Sequence, residues 1–338
     1  MSKINLSNLL EVSKRIVLKV GSSLLINNEK NDTNLLWLKS LVEDIKKFRK
    51  KNKQFLIVSS GAIALGRKQL QLDDNLSLDE KQAAAAVGQI SLSHAWKETF
   101  IFKNIISAQI LLAPDDTETR KKHINARATL EKLLQMNVVP VINENDTVST
   151  QEIKFGDNDR LAARVSQICS ADLLILFSDI DGLYSSDPNF NNDSKFIDEI
   201  DIITDKIENM AGPTSRNFSS GGMKTKIEAA KIATNAGCNV IITNGQIMNP
   251  LSQPFSQSRK ASWFKAIRNP INSRKQWISG ALQVKGKIFI DYGAEKAIAL
   301  GKSILPAGII KTEGRYDKGD LVHIVNASGK LLGKGLSH

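Results

Sequence analysis

From Arg15 to about residue 244, short β-branched runs alternate with stretches of helical periodicity, and this alternation constrains the fold more than any other feature. The runs are Arg15–Val20 (RIVLKV), Phe55–Val58, Ser107–Leu112, Val138–Ile142, Leu173–Phe177 and Val240–Thr243. Between them, Leu35, Leu38, Leu41, Val42, Ile45 and Phe48 recur at helical spacing. Gln82–Trp96, Ile124–Leu134, Leu161–Ile168 and Ile227–Ala236 also read as helices. Unbroken apolar strands with helices between them predict a mostly parallel sheet sandwiched by helices, an α/β fold. Past it, Asn249–Asn272 is polar, contains proline and reads as a linker or flap. Short strand-like runs at Lys287–Ile290 and Leu321–Val325, amid many glycines, then predict a small β-rich domain.

The stretch Val139–Arg160 packs Asn143, Glu144, Asn145, Asp146, Asp157, Asn158 and Asp159 around a short spacer. The first group follows a strand, and the second precedes a helix. One helix cap needs one Asp or Asn, not two clusters. Ligands of open α/β sheets sit beyond the C-terminal strand ends, so the stretch reads as a site. Lys19 stands inside a buried strand, two residues before Gly21-Ser22-Ser23. A buried lysine is costly unless paired, and a small-residue turn exposes N–H groups to an anion. Ser59-Ser60-Gly61-Ala62 allows close approach by a ligand, or is a plain strand-to-helix turn. The acidic turn after Leu173–Phe177, from Ser178 and Asp179 to Tyr184, is either turn chemistry or a nucleotide contact. Ser219–Lys226 (SSGGMKTK) leads into a helix, and its free N–H groups with Lys224 and Lys226 make an anion site.

Two lysines on separate loops, small-residue turns and a carboxylate/carboxamide cluster suit phosphoryl transfer, which needs charge neutralisation and positioning. The four histidines form no Ser-His-Asp or Cys-His set and no metal constellation. Cys169 and Cys238 have no metal spacing and read as small buried residues. No run is long enough to span a bilayer and no signal-peptide core is evident, so a cytoplasmic location without membrane contact is expected. The net charge of +11 is uneven: from Ser256 onward 15 Lys and Arg face 5 Asp and Glu. A basic module that meets nucleic acid, or a merely solvated surface, would explain it.

Taken in order, KVGSS, SSGAIALG, AAAAVGQ, VINENDTVS, FGDNDRLAA, SDIDGLY and GGMKTK resemble the amino acid kinase family, and within it the branch that phosphorylates glutamate. The resemblance is strong over residues 14–245 and looser beyond. It implies the amino acid kinase fold over 12–255, a linker over 256–280 and a truncated PUA-like domain over 281–338. The PUA domain is often found in RNA-modifying proteins, and Arg274-Lys275-Gln276-Trp277-Ile278 before Gly280 resembles its lead-in. The implied activity is transfer of a phosphoryl group from ATP, with Mg²⁺ bridging its phosphates, to the side-chain carboxylate of L-glutamate, the first step of proline synthesis.

Carried over by motif, Lys19, Asp159 and Lys226 would be catalytic, with Asp159 organising the lysines. Ser60, Asp146 and Asn158 would bind glutamate. Lys19, Ser178, Asp179 and the loop Ser220, Gly221, Gly222, Met223, Lys224, Thr225 and Lys226 would bind ATP, with no metal ligand from the protein itself. Proline as feedback inhibitor, a homo-oligomer and a glutamyl phosphate reductase partner are further implications. The sequence departs from the family in two places: Ser219-Ser220 stands where Gly-Thr is usual, and the chain ends at GKGLSH. An RNA-binding protein working through the basic tail, another substrate within the family and a non-catalytic regulator are the competing readings.

Overall fold

The run Arg15–Val20 forms the central strand of an eight-stranded sheet in the computed structural model of the protein. The structure describes residues 6–27, 32–148, 158–188, 190–191, 193–211, 222–253, 259–267, 284–299, 302–316 and 321–337. Among these, the strands of the main sheet are β1 (Arg15–Val20), β2 (Gln54–Ser59), β3 (Ser107–Leu112), β4 (Val139–Glu144), β5 (Leu173–Ser178), β6 (Glu199–Ile200), β7 (Asn239–Asn244) and β8 (Ala261–Phe264). They lie in the order β6-β8-β7-β5-β1-β2-β4-β3. Strands β1 to β5 and β7 run parallel, as the alternation predicts. Strand β8 is antiparallel to β7, and β6 follows β8.

Two apolar layers cover the sheet, and the period of two along each strand assigns residues to them. Ile16, Leu18 and Val20 pack with Leu38, Leu41 and Ile45 of α1 (Leu35–Arg49). Leu92, Trp96 and Phe100 of α3 (Leu78–Ile101) join that layer. Val17 points the other way, toward Leu130 of α4 (Arg120–Gln135), Leu161 and Val165 of α5 (Asn158–Cys169) and Ile227 of α6 (Met223–Asn235). Lys19 shares the parity of Val17, so its side chain emerges among α5 and α6. Caps fix where the helices begin: Asn34 accepts the Trp37 N–H at the start of α1, and Ser77 with Glu80 closes a capping box on α3.

Helix α2 (Ala62–Gln69) follows Gly61, whose φ of +111° suits a residue without Cβ. It crosses α3 at two glycines. A Cβ on Gly88 would lie 1.9 Å from the Ala62 carbonyl oxygen and 2.4 Å from the Gly66 nitrogen. Backbone cannot yield as a side-chain tip does, so Gly88→Ala should force the helices apart. Overpacking costs about 1–3 kcal/mol, worth roughly 2–4 °C per kcal/mol in a domain of this class. A thermal melt should show a drop of several degrees, and an unchanged Tm would mean that the crossing is not tight.

The linker expected over 256–280 needs correction. Ala261–Phe264 is a buried strand of the main sheet, with Trp263 and Phe264 in its core. Four residues buried on both faces show no alternation, which is why composition hid them. Residues 254–258 and 268–283, with the lead-in Arg274–Gly280, lie outside the described residues.

The C-terminal region is β-rich as expected: β9 (Gly286–Ile290), β10 (Ile309–Gly314), β11 (Leu321–Asn326) and β12 (Leu331–Leu336) pair in the order β10-β9-β11-β12. A helix, α7 (Tyr292–Ala299), accompanies them, and Ile290, Ala294, Val322 and Val325 are buried. Both cysteines are buried and free. Burial pushes the Cys169 thiol up to about 12, so it is inert. Among the described residues no helix is long and apolar enough to cross a membrane.

Candidate active site

Strand β1 delivers Lys19 to the sheet's C-terminal edge, and the first turns of α5 and α6 deliver Asp159 and Lys226. The Lys19 ammonium lies 2.6 Å from Asp159 Oδ1, and the Lys226 ammonium lies 3.2 Å from Oδ2. Asp159 is fully buried, and the lysines are 6% and 4% exposed. Thr225 adds a hydroxyl 3.4 Å from Asp159 Oδ2. Burial is the largest influence on Asp159 and acts to raise its pKa, but the two ammoniums together hold the carboxyl below the ordinary range. Asp159 is favoured at a helix N-terminus, whereas Lys226 is not, because the helix dipole there repels a cation. Two buried ammoniums gathered on one carboxylate at a strand end suit a polyanion.

A second cluster meets the first at α5. Asn158 Nδ2 donates to Ser59 O at 3.1 Å, Ser60 Oγ at 2.9 Å and Asn143 Oδ1 at 2.8 Å. Asn143 Nδ2 donates to Gln89 Oε1 of α3 at 2.8 Å. Asp146, half-buried, lies in the turn that follows β4, where the Asn145 N–H bonds to Leu112 O at 3.0 Å. Across β1, at the end of β5, Ser178 Oγ donates to Asp179 Oδ1 at 2.9 Å. The Gly245 N–H donates to Ser178 O at 2.8 Å, and Asn244 Nδ2 to Asp179 O at 3.3 Å. Gly222 and Lys224 are exposed at the start of α6, while Met223 and Thr225 are half-buried. Ser220, Gly221 and Asp157 lie outside the described residues.

These groups share one edge, where β1 separates the strands that precede it in the sheet from those that follow. That is the switch point at which open α/β sheets take ligands. The structure thus places Lys19, Asp159 and Lys226 in direct contact, and joins Ser60 to Asn158. Asp146, Ser178 and Asp179 stand at the same strand ends without touching the triad through any described bond. Gln89 escapes sequence reasoning: inside AAAAVGQ it looks like one more polar position on a packing helix. Asn143, named within its acidic cluster, gains a specific partner only in three dimensions.

Residues 14–244 match the model of the amino acid kinase family, and residues 286–338 match the PUA domain. The chain is 48% identical to a protein named glutamate 5-kinase from Paramagnetospirillum magneticum, over 97% of this chain and 88% of that one. A protein of the same name from Agrobacterium fabrum is 49% identical, over 96% of this chain and 83% of that one. Among solved structures, carbamate kinase from Giardia lamblia bound to AMP-PNP shares the fold, with a TM-score of 0.53 at 15% identity, over 75% of this chain and 99% of that one. Motif order, site geometry and these matches lead to one conclusion: the chain belongs to the amino acid kinase family.

Proposed function

We propose that this chain is a kinase that transfers the γ-phosphoryl group of ATP to the side-chain carboxylate of L-glutamate, giving L-glutamyl 5-phosphate, the first step of proline biosynthesis. The observation that carries this reading is the Lys19–Asp159–Lys226 cluster, two ammoniums on one carboxylate, buried at the sheet's C-terminal edge. Near-full-length similarity to two proteins named glutamate 5-kinase supports the choice of acceptor.

An oxygen of the acceptor carboxylate attacks the γ-phosphorus in line, and the bond from that phosphorus to the bridging oxygen breaks. The bonding electrons leave on ADP. The acceptor has a pKa near 4.3 and is already ionised at neutral pH, so no proton needs to be removed. Catalysis is then positioning and charge stabilisation. Lys19 and Lys226 face the transferring group, and Asp159 holds both ammoniums in place. Ser60, Asp146 and Asn158 bind glutamate. Ser178, Asp179 and the segment 220–226, with Lys19, bind the nucleotide. Asp159 is already engaged by two ammoniums. Mg²⁺ bound with the nucleotide would neutralise charge on the triphosphate.

Inhibition by proline at or near the glutamate pocket, assembly into a homo-oligomer and hand-over of the labile product to a glutamyl phosphate reductase belong to the same proposal. Nucleic-acid binding by the C-terminal unit is a second reading, favoured by its PUA match and by 15 basic against 5 acidic residues from Ser256 onward. Salt-dependent RNA binding that survives Lys226→Ala would support it.

Hydroxylamine trapping with ATP and Mg²⁺ tests the main reading. A hydroxamate should form with glutamate and not with aspartate or without an amino acid, and proline should suppress it. A folded protein that binds ATP but yields no glutamate hydroxamate would point to another acceptor.

A further inference from the structure

A carboxamide can face either way, and its orientation is decided by the partners whose polarity is certain. Two backbone groups decide it here. The Glu144 N–H can only donate, and it meets Asn143 Oδ1 at 2.9 Å. Asn143 must therefore turn its nitrogen to Gln89, and Gln89 must answer with its oxygen, at 2.8 Å. The Ser59 carbonyl can only accept, and it meets Asn158 Nδ2 at 3.1 Å. The same nitrogen also faces Asn143 Oδ1 and Ser60 Oγ, so its two protons serve three protein acceptors. What remains of Asn158 for a ligand is its oxygen, an acceptor. Ser60, which accepts from Asn158, keeps its own proton to donate.

We infer that Gln89 is a positioning residue for the acceptor substrate, acting through Asn143 to hold in place the Asn158 amide, whose bond to the Ser59 carbonyl leaves its oxygen for the ligand. This rests on the reading that Ser60 and Asn158 line the acceptor pocket. An acceptor beside a donor matches an ammonium beside a carboxylate, the head group of an α-amino acid. The relay thus makes the site discriminate glutamate from glutarate, which has both carboxylates and no ammonium. Gln89 is well placed to act at a distance. It follows Gly88, the residue that seats α3 against α2, and its own nitrogen lies 3.1 Å from Ser93 Oγ. It is half-buried, so replacing it opens no cavity in the core.

The test compares Gln89→Leu, which removes the acceptor, with Gln89→Glu, which keeps an oxygen for Asn143 Nδ2. Steady-state hydroxamate assays with glutamate and glutarate, together with ATP titrations, give the readout. Gln89→Leu should raise the glutamate KM by roughly threefold to tenfold, the range for one neutral hydrogen bond. It should leave the ATP KM unchanged and lower the preference for glutamate over glutarate. Gln89→Glu should restore both. Equal effects on both substrates' KM values, no rescue by Gln89→Glu or an unchanged preference would overturn the proposal while leaving the kinase reading intact. Wild-type protein that neither binds glutamate in calorimetry nor phosphorylates it would overturn both.

Discussion

Lys226→Ala is expected to lower kcat by about a thousandfold or more and to leave the glutamate KM within a few-fold of wild type. Removing one hydrogen-bond donor to a developing oxyanion costs about 10²–10³ in rate, and a cation placed on a transferring phosphoryl group is worth about 10³–10⁵. Lys226 belongs to the second class, because its ammonium is nearly buried and its charge is poorly screened. The change should not unfold the protein. Asp159 keeps Lys19 at 2.6 Å, so the buried carboxylate still has a cation against it. It also removes a cation from a helix N-terminus, where the dipole opposes it. Kinetics with a parallel thermal melt separate the two effects. A collapsed kcat with a preserved Tm places Lys226 in the chemistry, and near-normal turnover would remove it from there.

The parts of the molecule legible in the sequence are those whose signal is local. Ile16–Leu18 and Leu173–Phe177 are apolar runs that could only be buried, and both lie in strands of the central sheet. The Asp/Asn clusters around Val139–Arg160 announce a strand end and a helix start, and the structure places Asn143 to Asp146 at the one and Asn158 and Asp159 at the other. Burial cost alone says that Lys19 needs a partner, but not which, since Asp159 is brought to it by a crossover that no local pattern encodes. The strand Ala261–Phe264 was hidden because its neighbours are polar and its four residues carry no period. Gln89 was hidden for a related reason: its meaning lies in the polarity of one amide, set by a backbone N–H on another element. Chemistry carried by a side chain in its own loop could be read, while chemistry that depends on what faces it across the sheet could not.

Asp159→Asn should have the largest combined effect, because it keeps the shape of the site and removes the charge that organises it. Two ammoniums, 6% and 4% exposed, would then face a neutral amide. Breaking a buried ion pair by removing one partner costs about 3–5 kcal/mol, and here a single carboxylate serves two cations. Turnover should fall together with stability, since both lysines lose the carboxylate that holds them. The dependence on pH identifies the cause. Burial acts to raise the pKa of Asp159, but the two ammoniums outweigh it and hold the folded-state value below that of the unfolded chain. A depressed carboxylate contributes its stability fully above the unfolded pKa, about 3.9, and loses it as pH falls through the lower folded value. The gap in Tm between wild type and Asp159→Asn should therefore be widest near neutral pH and should narrow below about pH 4. Other acidic groups titrate alike in both proteins and cancel from the comparison. A gap that stays constant into acid would mean that the amide disturbs packing rather than charge. ATP provides a final discrimination. With the carboxylate gone the site is more cationic, so nucleotide binding should persist or tighten while turnover is lost, which separates holding the triphosphate from aligning its γ-phosphorus.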